Sequence, residues 1–177
     1  MSIGEKTLYD RIEYLEFDGS LIFDTGIYGS SNTEIEVQFE RTKTGSSVVY
    51  LFGCGGNSPI TGELASTGVW RYGTGTPWFD TNAAGKIFTA EVGPGKTIIN
   101  NVSKTFSHSG FSSTDYTIQV GGRKTYNSIA YPSFIGRIYY FRMEKNYQQV
   151  LDWIPVRRKS DGLECFYDTV RREFIEP

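Results

Sequence analysis

The run Glu34-Ile35-Glu36-Val37-Gln38-Phe39-Glu40-Arg41 alternates polar and apolar side chains almost without a break. A period of two belongs to an extended strand, because successive side chains leave a strand on opposite faces. Ile35, Val37 and Phe39 therefore face a core, while Glu34, Glu36, Gln38 and Glu40 face water. Three carboxylates on one polar face read first as a solvated surface that discourages pairing with another chain. A strand with one buried face needs a second layer to bury it against.

Similar segments recur along the chain. Tyr14–Phe17 and Leu21–Asp24 flank Asp18-Gly19-Ser20, which has the composition of a hairpin turn. Val48–Phe52 runs into Gly53-Cys54-Gly55-Gly56-Asn57, and Ile87–Val92 stops at Gly93-Pro94-Gly95. Val69–Tyr72, Thr97–Val102 and Tyr116–Val120 read as further strands. In Arg137–Met143 the alternation puts Tyr139, Phe141 and Met143 on one face, with Ile138, Tyr140 and Arg142 on the other. Val150–Val156, Leu163–Asp168 and a short segment holding Phe174 and Ile175 complete the set, with Ser160-Asp161-Gly162 as a turn. About ten to twelve strands with regular turn signals predict an all-β, two-sheet antiparallel sandwich. No linker or repeat divides residues 1–177, so one domain is expected, with 1–12 as an extended or short helical arm.

Composition agrees with that class and excludes others. The 12 Tyr, 12 Phe and 3 Trp, beside 20 Gly, favour strands joined by tight turns. A formal net charge of −2 disfavours a protein built to grip nucleic acid. No apolar run reaches the roughly 20 residues of a membrane-spanning helix, and Met1–Lys6 lacks the apolar segment of a secretory signal. Cys54 and Cys165 fit no metal spacing and read as reduced thiols, with a disulfide between them left open. His108 is the only histidine, which excludes a multi-histidine metal site and makes it an ordinary loop residue.

Catalytic patterns come up short. Glu16 and Asp18 sit at i and i+2, as in a two-carboxylate glycosidase, but Leu21 stands where the acid/base belongs. Glu34, Glu36 and Glu40 are wrongly spaced for that set. Gly95-Lys96-Thr97 ends like a phosphate-binding loop, yet Ala90 occupies the place of its first glycine and a strand follows.

The last third carries a resemblance. Phe134-Ile135-Gly136-Arg137-Ile138-Tyr139-Tyr140-Phe141-Arg142-Met143 is followed by Asp152-Trp153-Ile154-Pro155-Val156, Ser160-Asp161-Gly162, Phe166-Tyr167-Asp168-Thr169-Val170 and Phe174. This resembles the closing signature of concanavalin-like, laminin-G-like jelly-roll domains of phage and prophage structural proteins. Tyr14-Leu15-Glu16-Phe17-Asp18-Gly19, Phe23-Asp24-Thr25-Gly26 and Leu51-Phe52-Gly53 are similar to the family's opening and to a strand end within it. The resemblance implies a jelly-roll sandwich of the lectin/glucanase type. It also implies a virion surface setting, with assembly in a bacterial host's cytoplasm and no secretory signal. Within the signature, Arg157, Arg158 and Lys159 are expected to pair with Asp161 and Asp168 across a hairpin. The other reading is an anion-binding patch that includes Arg171 and Arg172.

The stretch 57–85 matches nothing in that family, and loops of this kind carry recognition. Trp70, Tyr72 and Trp78 lie near Asn57, Asp80 and Asn82. Sugar sites join an aromatic face to amide or carboxylate groups that bond hydroxyls, so these six are the expected ligand-binding residues. Asp80 and Asn82 alone do not make a Ca²⁺ site, so no metal or other cofactor is expected. The leading functional expectation is a non-enzymatic, virion-associated structural or adhesion protein that binds host or environmental glycans. Its partners would be other virion proteins, or itself in a symmetric oligomer. A stand-alone bacterial carbohydrate-binding module is the alternative, and a glycoside hydrolase the third reading.

Overall fold

A computed structural model describes residues 8–44, 48–56, 59–64, 68–81, 83–108, 113–124 and 130–177. Its strands are, in chain order, β1 (Tyr9–Arg11), β2 (Leu15–Asp18), β3 (Phe23–Tyr28), β4 (Thr33–Arg41), β5 (Val49–Cys54) and β6 (Ile60–Leu64). Next come β7 (Gly68–Tyr72), β8 (Trp78–Phe79), β9 (Ile87–Gly93), β10 (Lys96–Ile99), β11 (Val102–Thr105) and β12 (Thr117–Val120). The last are β13 (Gly122–Lys124), β14 (Ala130–Pro132), β15 (Ile135–Lys145), β16 (Gln148–Arg158), β17 (Glu164–Asp168) and β18 (Glu173–Ile175).

They form two sheets that pack face to face as a jelly-roll-like β-sandwich. The ten-stranded sheet runs β11-β10-β9-β4-β15-β16-β17-β18. Strands β15 and β16 pair only near their shared hairpin and then diverge. The gap is filled by β2 against Ile135–Ile138 and by β1 against Val156–Arg158. The expected N-terminal arm is therefore, over Tyr9–Arg11, a strand and not a helical turn. The eight-stranded sheet runs β14-β13-β5-β6-β7-β8, with β12 joining β3 to β5. Pairing between the strands is antiparallel apart from Lys124 against Cys54, and an isolated parallel bridge joins Arg41 to Ala84.

Aromatic side chains from both inner faces fill the space between the sheets. Trp153 stacks on Phe166 at 5.3 Å, and Phe166 meets Phe23 of the opposite sheet at 5.0 Å. Phe39 and Phe52, one from each sheet, flank Trp70 at 6.0 and 5.9 Å. Gly62 makes this possible, since a Cβ there would lie 2.9 Å from both the Phe52 and Trp70 rings. A smaller cluster on the outer side of the ten-stranded sheet holds Tyr9, Ile154, Val156, Cys165 and Tyr167. Cys54 lies in the main core and Cys165 in this second cluster, both as free thiols. Burial raises both thiol pKa values, that of Cys165 to about 11.

Three local expectations are corrected. Asp18-Gly19-Ser20 does not close a hairpin: β2 belongs to the ten-stranded sheet and β3 to the other. Asp18 instead caps a corner between sheets, accepting hydrogen bonds from the Ser20 amide at 2.8 Å and hydroxyl at 2.5 Å, while Gly19 takes φ +97°. Second, a bulge lies between Ile138 and Tyr140, so Ile138 joins Phe141 and Met143 in the core and both Tyr139 and Tyr140 face outward. A bulge inserts one residue and reverses the alternation beyond it. Third, Thr97–Val102 is not one strand. Asn100 and Asn101, at φ +47° and +68°, form a two-residue hairpin loop between β10 and β11.

The basic residues of the closing segment are structural. Arg158 bonds Asp161 and Glu176, Arg157 meets Glu164 at 2.5 Å, and Lys159 meets Asp10 at 3.1 Å. Asp168 pairs with Arg171 and not with the 157–159 run. Arg171 also donates to the Thr25 carbonyl at 3.1 Å, which occupies an acceptor on the edge strand β3.

Candidate functional site

Of the six residues expected to bind ligand, the four that are described do not come together. Trp70 and Tyr72 are fully buried, because β7 turns its even-numbered side chains into the core. Tyr72 donates to the Ser30 carbonyl at 2.8 Å and accepts from the Thr33 amide, and burial raises its pKa. Neither ring can stack on a sugar in this fold, which corrects that expectation. Trp78 is 55% exposed on the edge strand β8, and Asp80 beside it is exposed. Asn57 and Asn82 lie outside the described residues. His108 is a half-buried loop residue, edge-on to Tyr72 at 5.4 Å.

A different surface gathers chemistry. The outer face of the ten-stranded sheet is crossed by rungs of polar side chains from β16, β15, β4, β9 and β10. In one rung Asp152, Arg142, Glu36, Glu91 and Ile98 stand side by side. Arg142 donates to Asp152 at 2.9 Å and lies 3.6 Å from Glu36. Tyr140 donates its hydroxyl to the same Glu36 at 2.5 Å, and the Arg142 guanidinium sits 4.5 Å above the Tyr140 ring. Burial and then the Glu36 carboxylate push the Tyr140 pKa up to about 12. This group is held from three sides and is preorganised.

The neighbouring rungs extend the pattern. Gln38 donates to Thr89 at 3.3 Å. Beyond it, Glu40 accepts from Tyr139 at 2.8 Å and Arg137 at 3.4 Å, and Arg137 covers the Tyr14 ring at 4.3 Å. Tyr139, like Tyr140, is pushed up to about 12 by burial first and its carboxylate partner second. In the other direction Glu34 stands opposite Glu144.

Between these rungs and the β9–β10 turn lies a cavity of about 380 Å³. It is lined by Glu34, Glu36, Glu91, Glu144, Arg142 and Lys96, with Ile98 and Pro94 as apolar wall. Glu36 and Glu91 face one another directly, an arrangement that costs stability between like charges. The carboxylates of Glu34, Glu91 and Glu144 make no hydrogen bond or ion pair among the described residues. Carboxylates left open beside a clamped tyrosine and arginine can accept several hydrogen bonds from a hydroxyl-rich ligand.

Other chemistry finds less support in the geometry. Asp18 is held below the usual carboxylate range by its Ser20 bonds and serves the corner, while Glu16 faces Arg137. Among the described residues no group of three metal-ligating side chains is present, and no helix is long and apolar enough to cross a membrane. The signal for this face was half visible in sequence: the period of two aligned Glu34, Glu36 and Gln38, but not their cross-strand partners. No protein-family model matches the chain, and no curated protein matches it.

Proposed function

We propose that this protein is a non-enzymatic adhesion module of a phage virion surface, and that it binds a glycan on the outer face of the ten-stranded sheet. The observation that carries the binding reading is the 380 Å³ cavity, where the Glu34, Glu91 and Glu144 carboxylates, without partners among the described residues, surround the clamped Tyr140–Glu36–Arg142 group. Sugar recognition needs fixed acceptors for hydroxyls and an aromatic or apolar surface for the C–H face. The virion setting rests on the sequence resemblance. It would place the chain beside other virion proteins or in a symmetric oligomer. A stand-alone carbohydrate-binding module would use the same face.

A glycan-array screen with wild-type, Glu36→Gln and Trp78→Ala proteins tests this reading. Glu36 fixes Tyr140 and Arg142 beside the cavity, so Glu36→Gln loosens that clamp and weakens binding about tenfold. Trp78→Ala leaves binding within about threefold, because Trp78 lies on the other sheet. Absence of binding to every glycan sinks the proposal, and loss of binding in Trp78→Ala alone moves the site to β8.

A further inference from the structure

Strands β15 and β16 are joined by the two-residue loop Asn146-Tyr147, with φ +53° and +62°. A hairpin this tight needs left-handed backbone at both places, which is why Asn-Gly and related pairs dominate it. The protein obeys that preference elsewhere. The β10–β11 loop is Asn100-Asn101, and Asn100 is tied by its side-chain oxygen to the Thr89 amide at 2.8 Å. Gly95 supplies the positive φ of the β9–β10 turn. Tyr147 departs from it: its bulky ring, like the Arg172 side chain at φ +60°, stands on a backbone conformation that L side chains rarely adopt.

Among the described residues the Tyr147 ring has no packing partner to offset that strain. Tyr147 is 92% exposed, the most exposed of the large apolar residues among those described. Its base is nevertheless held firmly. The Asn146 amide donates to the Asn32 carbonyl at 3.2 Å, Asn32 donates to the Asn146 side chain at 2.9 Å, and Lys145 reaches the Tyr28 carbonyl at 3.3 Å. The Asn32–Asn146 pair lies one rung beyond Glu34–Glu144, which line the cavity described above. A strained, solvent-facing ring on a fixed support beside a polar cavity has the signature of a contact residue.

We propose that Tyr147 is the outer end of the glycan-binding surface, where its ring packs on a sugar unit whose neighbour occupies the Glu34–Glu144 end of the cavity. This rests on the glycan reading above. The flanking amides and carboxylates favour a sugar over an apolar peptide, which would need a hydrophobic surround that Asn32, Asn146 and Glu144 do not provide.

The test is Tyr147→Gly, measured for thermal stability and for binding to a panel of neutral and acidic oligosaccharides, with Glu36→Gln in parallel. Glycine relieves the backbone strain, so Tm rises by about 2–4 °C. At the same time affinity for the oligosaccharide that wild type binds most tightly falls about tenfold. Tyr147→Trp, which keeps an aromatic face, holds affinity within about threefold. Weakened binding in Glu36→Gln but not in Tyr147→Gly overturns the role of Tyr147 and leaves the glycan reading standing. A fall in Tm on Tyr147→Gly overturns it too, since the ring would then serve the fold. If no oligosaccharide binds wild type, or only a protein does, both proposals fall.

Discussion

Trp70 is where the structure departs furthest from a surface reading of the aromatic residues, and truncating it gives a quantitative test. The indole is fully buried between Phe39, Phe52 and the glycine floor at Gly62. Trp70→Ala removes that packing and leaves a cavity that close neighbours cannot fill, at about 3–5 kcal/mol. For a domain with about 5–15 kcal/mol in all, this is a large share. With a urea m-value of about 2–3 kcal/mol/M, the midpoint falls by about 1.5 M. Trp70→Phe behaves differently. The smaller ring forfeits about 1–2 kcal/mol of transfer and cavity energy. It also removes an indole N–H that has no hydrogen-bond partner among the described residues, which returns about 1 kcal/mol. The phenylalanine variant therefore unfolds within about 1 kcal/mol of wild type. Far-ultraviolet circular dichroism is the suitable probe, because the substitution alters fluorescence directly. A Trp70→Ala protein within about 1 kcal/mol of wild type would refute the buried placement. So would one that folds normally but has lost glycan binding.

Two further outcomes follow from single groups. Thr97 is fully buried on β10 with a hydroxyl that has no partner among the described residues, so Thr97→Val raises stability by about 1 kcal/mol in the same urea assay. Tyr140 has a folded pKa raised from its ordinary 10.0 to about 12, so its stabilising contribution is complete below pH 10 and is lost as pH rises toward 12. Tyr140→Phe removes one late-ionising phenol from a near-ultraviolet alkaline titration and makes the stability decline across that range shallower.

How much was legible in the sequence differs between fold and site. Alternation in β4 and β9 marked the inward residues correctly, because nothing interrupts the period there. It failed in β15, where the bulge near Tyr139 reverses the faces and leaves no trace in residue type. Asp18-Gly19-Ser20 was misassigned for a related reason: the Asx turn that closes a hairpin also serves a corner between sheets. The hairpin ion pairs were legible at Arg158–Asp161, but Asp10 and Glu176 were not, since they arrive from distant chain.

For the site, aromatic residue type was a poor guide. A tryptophan on a strand serves a core as readily as a ligand, and its facing depends on register with β6 and β8. Of the β4 carboxylates, expected on a solvated face, Glu34 is exposed, Glu36 is half-buried and Glu40 is buried beside Tyr139 and Arg137. Their grouping with Tyr140, Arg142 and Glu91 is a product of cross-strand pairing that one sequence does not display. Tyr147 did leave a signal: an Asn followed by a bulky residue between two strands that pair in a tight hairpin.

The central claim is that recognition occurs on the outer face of the ten-stranded sheet. Titrating isotope-labelled protein with a binding oligosaccharide, followed by backbone amide NMR, locates it directly. The account predicts shifts concentrated at Glu34, Glu36, Glu91, Tyr140, Arg142 and the Asn146–Tyr147 hairpin, with Trp78 and Asp80 unmoved. Shifts centred on Trp78 and Asp80, with the β4–β15 face silent, would contradict it.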